Sequence, residues 1–324
     1  MALWLLIRIF AQKSRYMRRF SILIPSWNNL AYLQLCVRSI EQNSATIHEI
    51  LIHVNDGSDG TLEWVRQRGL KHTHSDKNIG VCWALNSLRP LVTTDYIVFI
   101  NDDMYLLPGW DLAFNEDICR IGHKYFFFSS TLIQPESGSL KYQNVIIADY
   151  GSSPDTFRER ELLAHSQELK CEDWLGATSP PNIVHRDIWD LVGGYSIIYS
   201  PGEASDQDFS AKLWLAGVRD FRGLSNSRCY HFMSKSICRI TMNWGGLQFL
   251  RMYGVTLRLF RRNILHVGDP VSAPVDSHWD FWFNLLRSRL KRLSTVWRDT
   301  KGLKLFDEND KKEQVSFVGR SLCD

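Results

Sequence analysis

Asn101-Asp102-Asp103 follows directly on the apolar run Tyr96-Ile97-Val98-Phe99-Ile100. Two adjacent carboxylates at the exit of a buried strand repel each other unless a cation lies between them. An open α/β sheet binds its ligands at such exits. The triplet therefore reads as a site for a divalent cation and a diphosphate. Mg²⁺ or Mn²⁺ would take few protein carboxylates there, and phosphate oxygens would complete the shell.

The elements around it must bring further polar residues to the same edge. Phe20–Pro25 is a short apolar run closed by proline and predicts a strand, exiting at Pro25-Ser26-Trp27-Asn28-Asn29. Leu30, Leu33, Val37 and Ile40 share one helical face. Ile50–Val54 predicts a second strand, which exits at Asn55-Asp56-Gly57-Ser58. Thr61–Arg68 reads as a helix, Lys71–His74 as a short strand, and Lys77-Asn78-Ile79-Gly80 leads into a helix over Val81–Leu88. Strands alternating with helices imply a mainly parallel sheet with right-handed crossovers, so four polar strand ends converge on one edge.

The second half is less regular. Strands are expected at Tyr125–Ser129 and Val145–Ala148, and helices at Asp187–Val192, before Gly193-Gly194, and at Asp206–Ala216, before Gly217. Gly268, Pro270 and Pro274 place a linker over 266–278. Trp279, Trp282, Phe283, Leu286, Leu290, Leu293 and Trp297 then recur at helical spacing, with Arg287, Arg289, Lys291, Arg292 and Arg298 among them. That pattern predicts a basic amphipathic helix, which either lies on an anionic membrane through 279–304 or docks on the parent domain. The organisation is an extension over 1–19, one large α/β domain over 20–265, and a linker, helix and charged tail over 266–324.

Composition narrows the class. The 324 residues, 44% hydrophobic and 23% charged, suit a globular protein, and a net charge of +3 is too small to argue for a nucleic-acid partner. Twelve tryptophans suit a sugar-binding cleft or a membrane-facing surface. Seven cysteines without a Cys-x-x-Cys pair point to reduced thiols and a cytosolic compartment, peripheral to the membrane if the basic helix binds it. Met1–Phe10 is short and is broken by Arg8, so neither a signal peptide nor a spanning helix is expected. No Gly-x-Gly-x-x-Gly follows the first strand, which disfavours a dinucleotide-dependent dehydrogenase. Counting an EF-hand from Asn55 puts Gly57 and Arg66 at ligand positions, so that reading fails.

Ser21-Ile-Leu-Ile-Pro-Ser-Trp-Asn28, Val54-Asn-Asp-Gly-Ser-Asp-Gly-Thr61, Asn78-Ile-Gly80 and Asn101-Asp-Asp103 together resemble the family 2 glycosyltransferases. Gly193-Gly-Tyr195, Asp206-Gln-Asp208 and His231 extend the resemblance to about residue 235. It implies the GT-A nucleotide-sugar fold, an inverting transfer from a nucleotide diphosphate-sugar to a hydroxyl of a glycan or lipid-linked glycan, and Mn²⁺ or Mg²⁺ as cofactor. Asp56 would accept from the imide N–H of a uracil-type base, with Pro25, Ser26 and Asn28 lining the same pocket, so a UDP- or dTDP-type donor is expected. Asn78, Gly80, Asn101, Asp102, Ala177 and Gly194 would contact the rest of the donor. Asp103 and His231 would hold the metal, and Asp206 would be the base. The chain departs from the family pattern at Asn101, where the first acid of Asp-x-Asp is expected, at Ser205, where a glutamate is common, and at Tyr195-Ser196, where Phe-Asp is frequent. The departures at 101 and 205 also suit a non-catalytic glycan-binding protein on the same fold. A sugar-phosphate nucleotidyltransferase would need a glycine-rich basic loop in place of Pro25–Asn29.

Overall fold

A computed structural model of the chain describes residues 18–136, 145–234, 244–272 and 278–302. The expected N-terminal extension lies outside the described residues except for Arg18 and Arg19, as does the charged tail.

One sheet organises the chain. Its strands are β1 (Phe20–Trp27), β2 (Glu49–Asn55), β3 (Lys71–Ser75), β4 (Tyr96–Phe99), β5 (Met104–Leu106), β6 (Phe126–Gln134), β7 (Ile146–Ile147), β8 (Trp174–Leu175), β9 (Asn182–His185) and β10 (Asp220–His231). Their order is β3-β2-β1-β4-β9-β6-β10-β5, with β7 beside β6 and β8 beside β10. β3, β2, β1 and β4 pair in parallel, whereas β9 and β5 run against their neighbours. The sheet is therefore parallel where it carries the four polar exits and mixed beyond.

The helices are α1 (Leu30–Asn43), α2 (Thr61–Gln67), α3 (Gly80–Leu88), α4 (Trp110–Ile121), α5 (Glu159–His165), α6 (Arg186–Leu191), α7 (Ser205–Leu215), α8 (Gly245–Tyr253) and α9 (His278–Gly302). Side chains alternate across the sheet. Ile97 and Phe99 join Leu23 and Leu51 in one core, while Val98 and Ile100 join Ile22, Ile24, Ile52 and Val54 in the other. Helices α3, α6, α7 and α8 cover the first face, and α1, α2 and α4 cover the second. Burial on both faces explains why β1 and β4 read as continuous apolar runs rather than alternating ones.

The first half matches its sequence reading closely. Further on, the strand expected at Tyr125–Ser129 runs over Phe126–Gln134 and is buried throughout. Ser129, Ser130 and Thr131 conceal its second half, because three hydroxyl residues do not read as core. Thr131 Oγ1 bonds the Leu224 carbonyl at 3.0 Å and Ser130 Oγ bonds Ser227 Oγ at 2.7 Å, which makes the burial of those two tolerable, whereas Ser129 Oγ is buried without a partner. The first residues of the expected linker are pinned instead: Leu175 N donates to Asp269 O at 2.8 Å and Gly268 N to Leu175 O at 3.0 Å. Val267 packs into the first core.

Candidate functional site

The parallel register sets the geometry of the strand exits. Trp27 lies opposite Asn55, and Asn55 opposite Ser75. β4 ends level with Leu23, so Asn101 and Asp102 continue alongside the last residues of β1. Asp102 is spent on that junction: its Oδ2 accepts from Ser26 Oγ at 2.7 Å and its Oδ1 from Asn29 Nδ2 at 3.0 Å. Ser26 and Asp102, both expected to meet the donor, thus hold each other and tie the β1 loop to the β4 exit.

Asn28 and Asp56 form the neighbouring pair. Asn28 Nδ2 donates to Asp56 Oδ2 at 2.9 Å, and Asn28 Oδ1 accepts from Gly57 N at 2.9 Å. Both residues are left-handed, with φ of 46° and 63°, a region that asparagine and aspartate tolerate better than other side chains. Ser58 and Asn28 donate to the Asp56 carboxylate and hold its pKa below the usual value. Gly57 could carry no side chain, since a Cβ there would lie 2.8 Å from Leu62 Cβ. Asn55, which the motif reading left without a role, joins three elements. Its Oδ1 accepts from Ile79 N at 2.9 Å and its Nδ2 donates to Ser26 O at 3.4 Å.

Asn78 and Gly80 join the same framework. Asn78 Oδ1 accepts from Gly80 N at 2.9 Å, and a Cβ on Gly80 would lie 2.6 Å from Pro201 Cα. The glycine allows the start of α3 to touch the loop before Asp206, where Val81 N donates to Pro201 O at 3.1 Å. Gly194 is likewise enclosed by protein: a Cβ there would meet Asn86 Oδ1 at 2.5 Å. Asn86 also bonds both backbone polar groups of Tyr195. Ala177 is fully buried, and Trp174 beside it is core, with its Nε1 on Thr131 Oγ1 at 3.3 Å.

Asp103 and His231 meet across β5 and β10, where His231 lies opposite Met104. His231 Nε2 stands 3.4 Å from Asp103 Oδ2, and Ser234 N donates to the same oxygen at 2.8 Å. Burial pushes the Asp103 carboxyl up, but His231 and the Ser234 amide outweigh it and hold the net pKa below the ordinary value. Gln134 decides which way the imidazole faces. Its amide nitrogen donates to Glu136 O at 3.0 Å, so its Oε1 is left facing His231 Nδ1 at 3.0 Å. That oxygen can only accept, so it fixes a proton on Nδ1 and turns Nε2 toward Asp103, where Nε2 would offer a lone pair to an ion whenever the ring is neutral. A carboxylate oxygen and the Nε2 atom then face one point, with the ring oriented from behind. This donor set fits a Mn²⁺ or Mg²⁺ ion that takes its remaining ligands from phosphate and water. Among the described residues no group of three or more His, Cys, Asp or Glu could hold a metal.

Asp206 stands at the start of α7. Left-handed Ala204 is the cap residue, so neither Asp206 nor Asp208 caps the helix. Residue 206 keeps part of its surface in solvent, yet protein packs densely round its carboxyl. That burial raises its pKa to about 7, against a smaller lowering by the Tyr195 hydroxyl, which donates to Oδ1 at 3.4 Å. Tyr195 stacks on Phe209 with ring centroids 4.6 Å apart and touches Phe99 at 5.9 Å. It thus links the base candidate to the last residue of β4. Asp208 is fully buried and accepts from Tyr253 OH at 2.6 Å, and Glu203 accepts from Gly245 N at 2.9 Å. Those two acids fasten α8 to the loop and helix that carry Asp206.

The sheet order, the two helical layers and the converging strand exits are those of the GT-A fold found in glycosyltransferases. Residues 21–173 match the family described as glycosyl transferase family 2. Among solved structures, the fold is similar to TarS 1-349 of S. aureus in complex with UDP-GlcNAc. The TM-score is 0.53 at 14% identity, over 90% of this chain and 77% of that one. It is also similar to GalNAc-T7 with UDP, GalNAc and Mn²⁺, with a TM-score of 0.53 at 12% identity, over 89% of this chain and 58% of that one. No curated protein sequence matches the chain.

Proposed function

We propose that this glycosyltransferase moves a sugar from a uridine- or thymidine-type nucleotide diphosphate donor to a hydroxyl of a glycan or glycolipid, with inversion. Asp56, oriented by Asn28, accepts the imide N–H of the base. Asn101 faces the ribose side of the diphosphate, and Asp103 with His231 holds Mn²⁺ or Mg²⁺. When bound, the ion supplies Lewis-acid stabilisation of the departing nucleoside diphosphate. Asp206 takes the proton of the acceptor hydroxyl as its oxygen bonds the anomeric carbon and the bond from that carbon to the diphosphate breaks. One carboxylate suffices for such a single displacement.

The observation that carries the reading is the carboxyl of Asp206, raised to about 7 by burial and aligned by Tyr195. A base of that strength is half ionised near neutral pH and can hold the transferred proton. The relatives crystallised with UDP, UDP-GlcNAc and Mn²⁺ support the choice of donor and ion. The test is a panel of UDP-, dTDP- and GDP-sugars scored by melting temperature, with Mn²⁺ or with chelator, followed by acceptor-dependent release of nucleotide. UDP or dTDP compounds should stabilise the protein, and more so with Mn²⁺. A panel that shifts nothing, or shifts equally for all bases, would overturn the donor assignment.

A further inference from the structure

Helix α9 is turned the opposite way from an ordinary surface helix. Ser288 and Thr295 are buried against the domain, and Ser288 Oγ lies 3.3 Å from Thr256 Oγ1. Asn284 Nδ2 donates to Asn263 Oδ1 at 3.5 Å, and Asn263 Nδ2 to Asp280 Oδ2 at 3.4 Å. Asn284, Ser288 and Thr295 thus lie on the side toward the parent domain, beside the half-buried Phe281 and Leu285. Trp282, Phe283, Leu286, Leu290, Leu293 and Trp297 remain 57–66% exposed. At about 100° per residue they fill one arc of roughly 100°, and Ser288 and Thr295 lie on the far side of the helix. Six large apolar side chains in one stripe exceed what scattered surface residues explain.

The charges beside the stripe identify its occupant. Arg287 and Lys291 lie on one flank and Arg289 on the other, all exposed, with the Arg287 guanidinium 5.7 Å from the Phe283 ring centroid. The cleft between α8 and α9, about 590 Å³, adds Arg251, Arg258 and the exposed Trp244 beside Lys291. Two copies meeting across this stripe would bring like charges together. An anionic bilayer would satisfy both halves, since the apolar stripe enters the acyl boundary while the basic rim meets headgroup phosphates. No described helix is long and apolar enough to cross a membrane, which fits a helix lying in the interface.

We infer that the outward stripe of α9 with its basic rim is a docking surface for an anionic phospholipid bilayer, and that it seats the transferase domain on that bilayer. Glu203 and Asp208 tether α8 to the Asp206 loop and helix, and α9 lies against α8, so the seat is mechanically continuous with the base.

The test uses the full chain in flotation with vesicles of phosphatidylglycerol and phosphatidylcholine, or of phosphatidylcholine alone. The protein should float with the anionic vesicles and about tenfold less with the neutral ones, and salt should release it. The triple variant Leu286→Gln, Leu290→Gln, Leu293→Gln changes only exposed side chains. It should keep its melting temperature and lose flotation by at least about tenfold. Arg287→Gln, Arg289→Gln, Lys291→Gln should lose the preference for anionic vesicles. Flotation of the leucine variant at the wild-type level would overturn the proposal, as would equal binding to neutral vesicles. A wild-type dimer that fails to float and that the leucine variant converts to monomer would assign the stripe to a second copy instead.

Discussion

The proposed donor edge and the proposed acceptor side use the same residue type to opposite ends. At the donor edge Asp56 and Asp103 receive hydrogen bonds from Asn28, Ser58 and the Ser234 amide, and both carboxyls sit below their ordinary pKa. On the acceptor side Asp206 has one long bond from a tyrosine inside a packed setting, and its pKa climbs to about 7. His231 at Asp103 and the hydrogen-bond donors Ser58, Asn28 and Ser234 decide the first case, and desolvation the second. A carboxylate that meets a cation or a base N–H must stay charged, whereas one that accepts a proton must hold it.

The sharpest break would come from Asp206→Asn. Turnover should fall by about 10²–10⁴ while donor affinity, measured by calorimetry, stays within about twofold. The same variant separates chemistry from folding. The folded pKa of Asp206 is raised above the unfolded value of 3.8, so stability from the neutral carboxyl is complete below pH 3.8 and is lost as pH rises through about 7. Asp206→Asn should therefore be more stable than wild type at pH 8, by on the order of 1–2 kcal/mol, and equal to it near pH 4. Loss of donor binding in this variant would move Asp206 to the donor side and end the contrast.

A second break concerns the metal pair. Asp103→Asn or His231→Ala should remove the Mn²⁺-dependent part of UDP binding, and Gln134→Leu should weaken it by about 10–100-fold without touching the ion. Titration of UDP with Mn²⁺ and with chelator reads all three. If Gln134→Leu binds as wild type, the tautomer argument fails.

Two smaller effects sharpen the comparison. For wild type, kcat/KM should fall on the acid side with an inflection near pH 7, because protonated Asp206 cannot act as base. The Tyr195 hydroxyl lowers that pKa, so Tyr195→Phe should move the inflection to higher pH, by up to about one unit, with little change in KM. A shift to lower pH would contradict the assigned hydrogen bond. Asp56→Asn should weaken UDP binding about tenfold, equally with Mn²⁺ and with chelator, because Asp56 is proposed to contact the base and not the ion.

The two halves also differed in legibility. In β1 to β4 each local signal agreed with the fold: apolar strands, helical faces and polar exits all fell where the parallel sheet needed them. The mixed half concealed its strands behind Ser129-Ser130-Thr131 and the long β10, whose register shifts between Leu224 and Arg228. Tyr195 entered the sequence reading as a departure from Phe-Asp, and its hydroxyl proves to contact the base candidate. Gln134 carried no motif and orients His231. Asp102 and Ser26 were expected on the donor and are found holding each other.

From the chain alone followed the sheet class, the converging exits, the family and the identity of the ionisable groups, because hydrophobic period and turn residues are local properties. Only the tertiary structure decided which carboxyl is charged and which is poised near neutrality, which way the His231 ring faces, and that α9 turns its apolar stripe outward. Those depend on donors, burial and packing supplied by residues distant in sequence, and no spacing along the chain encodes them.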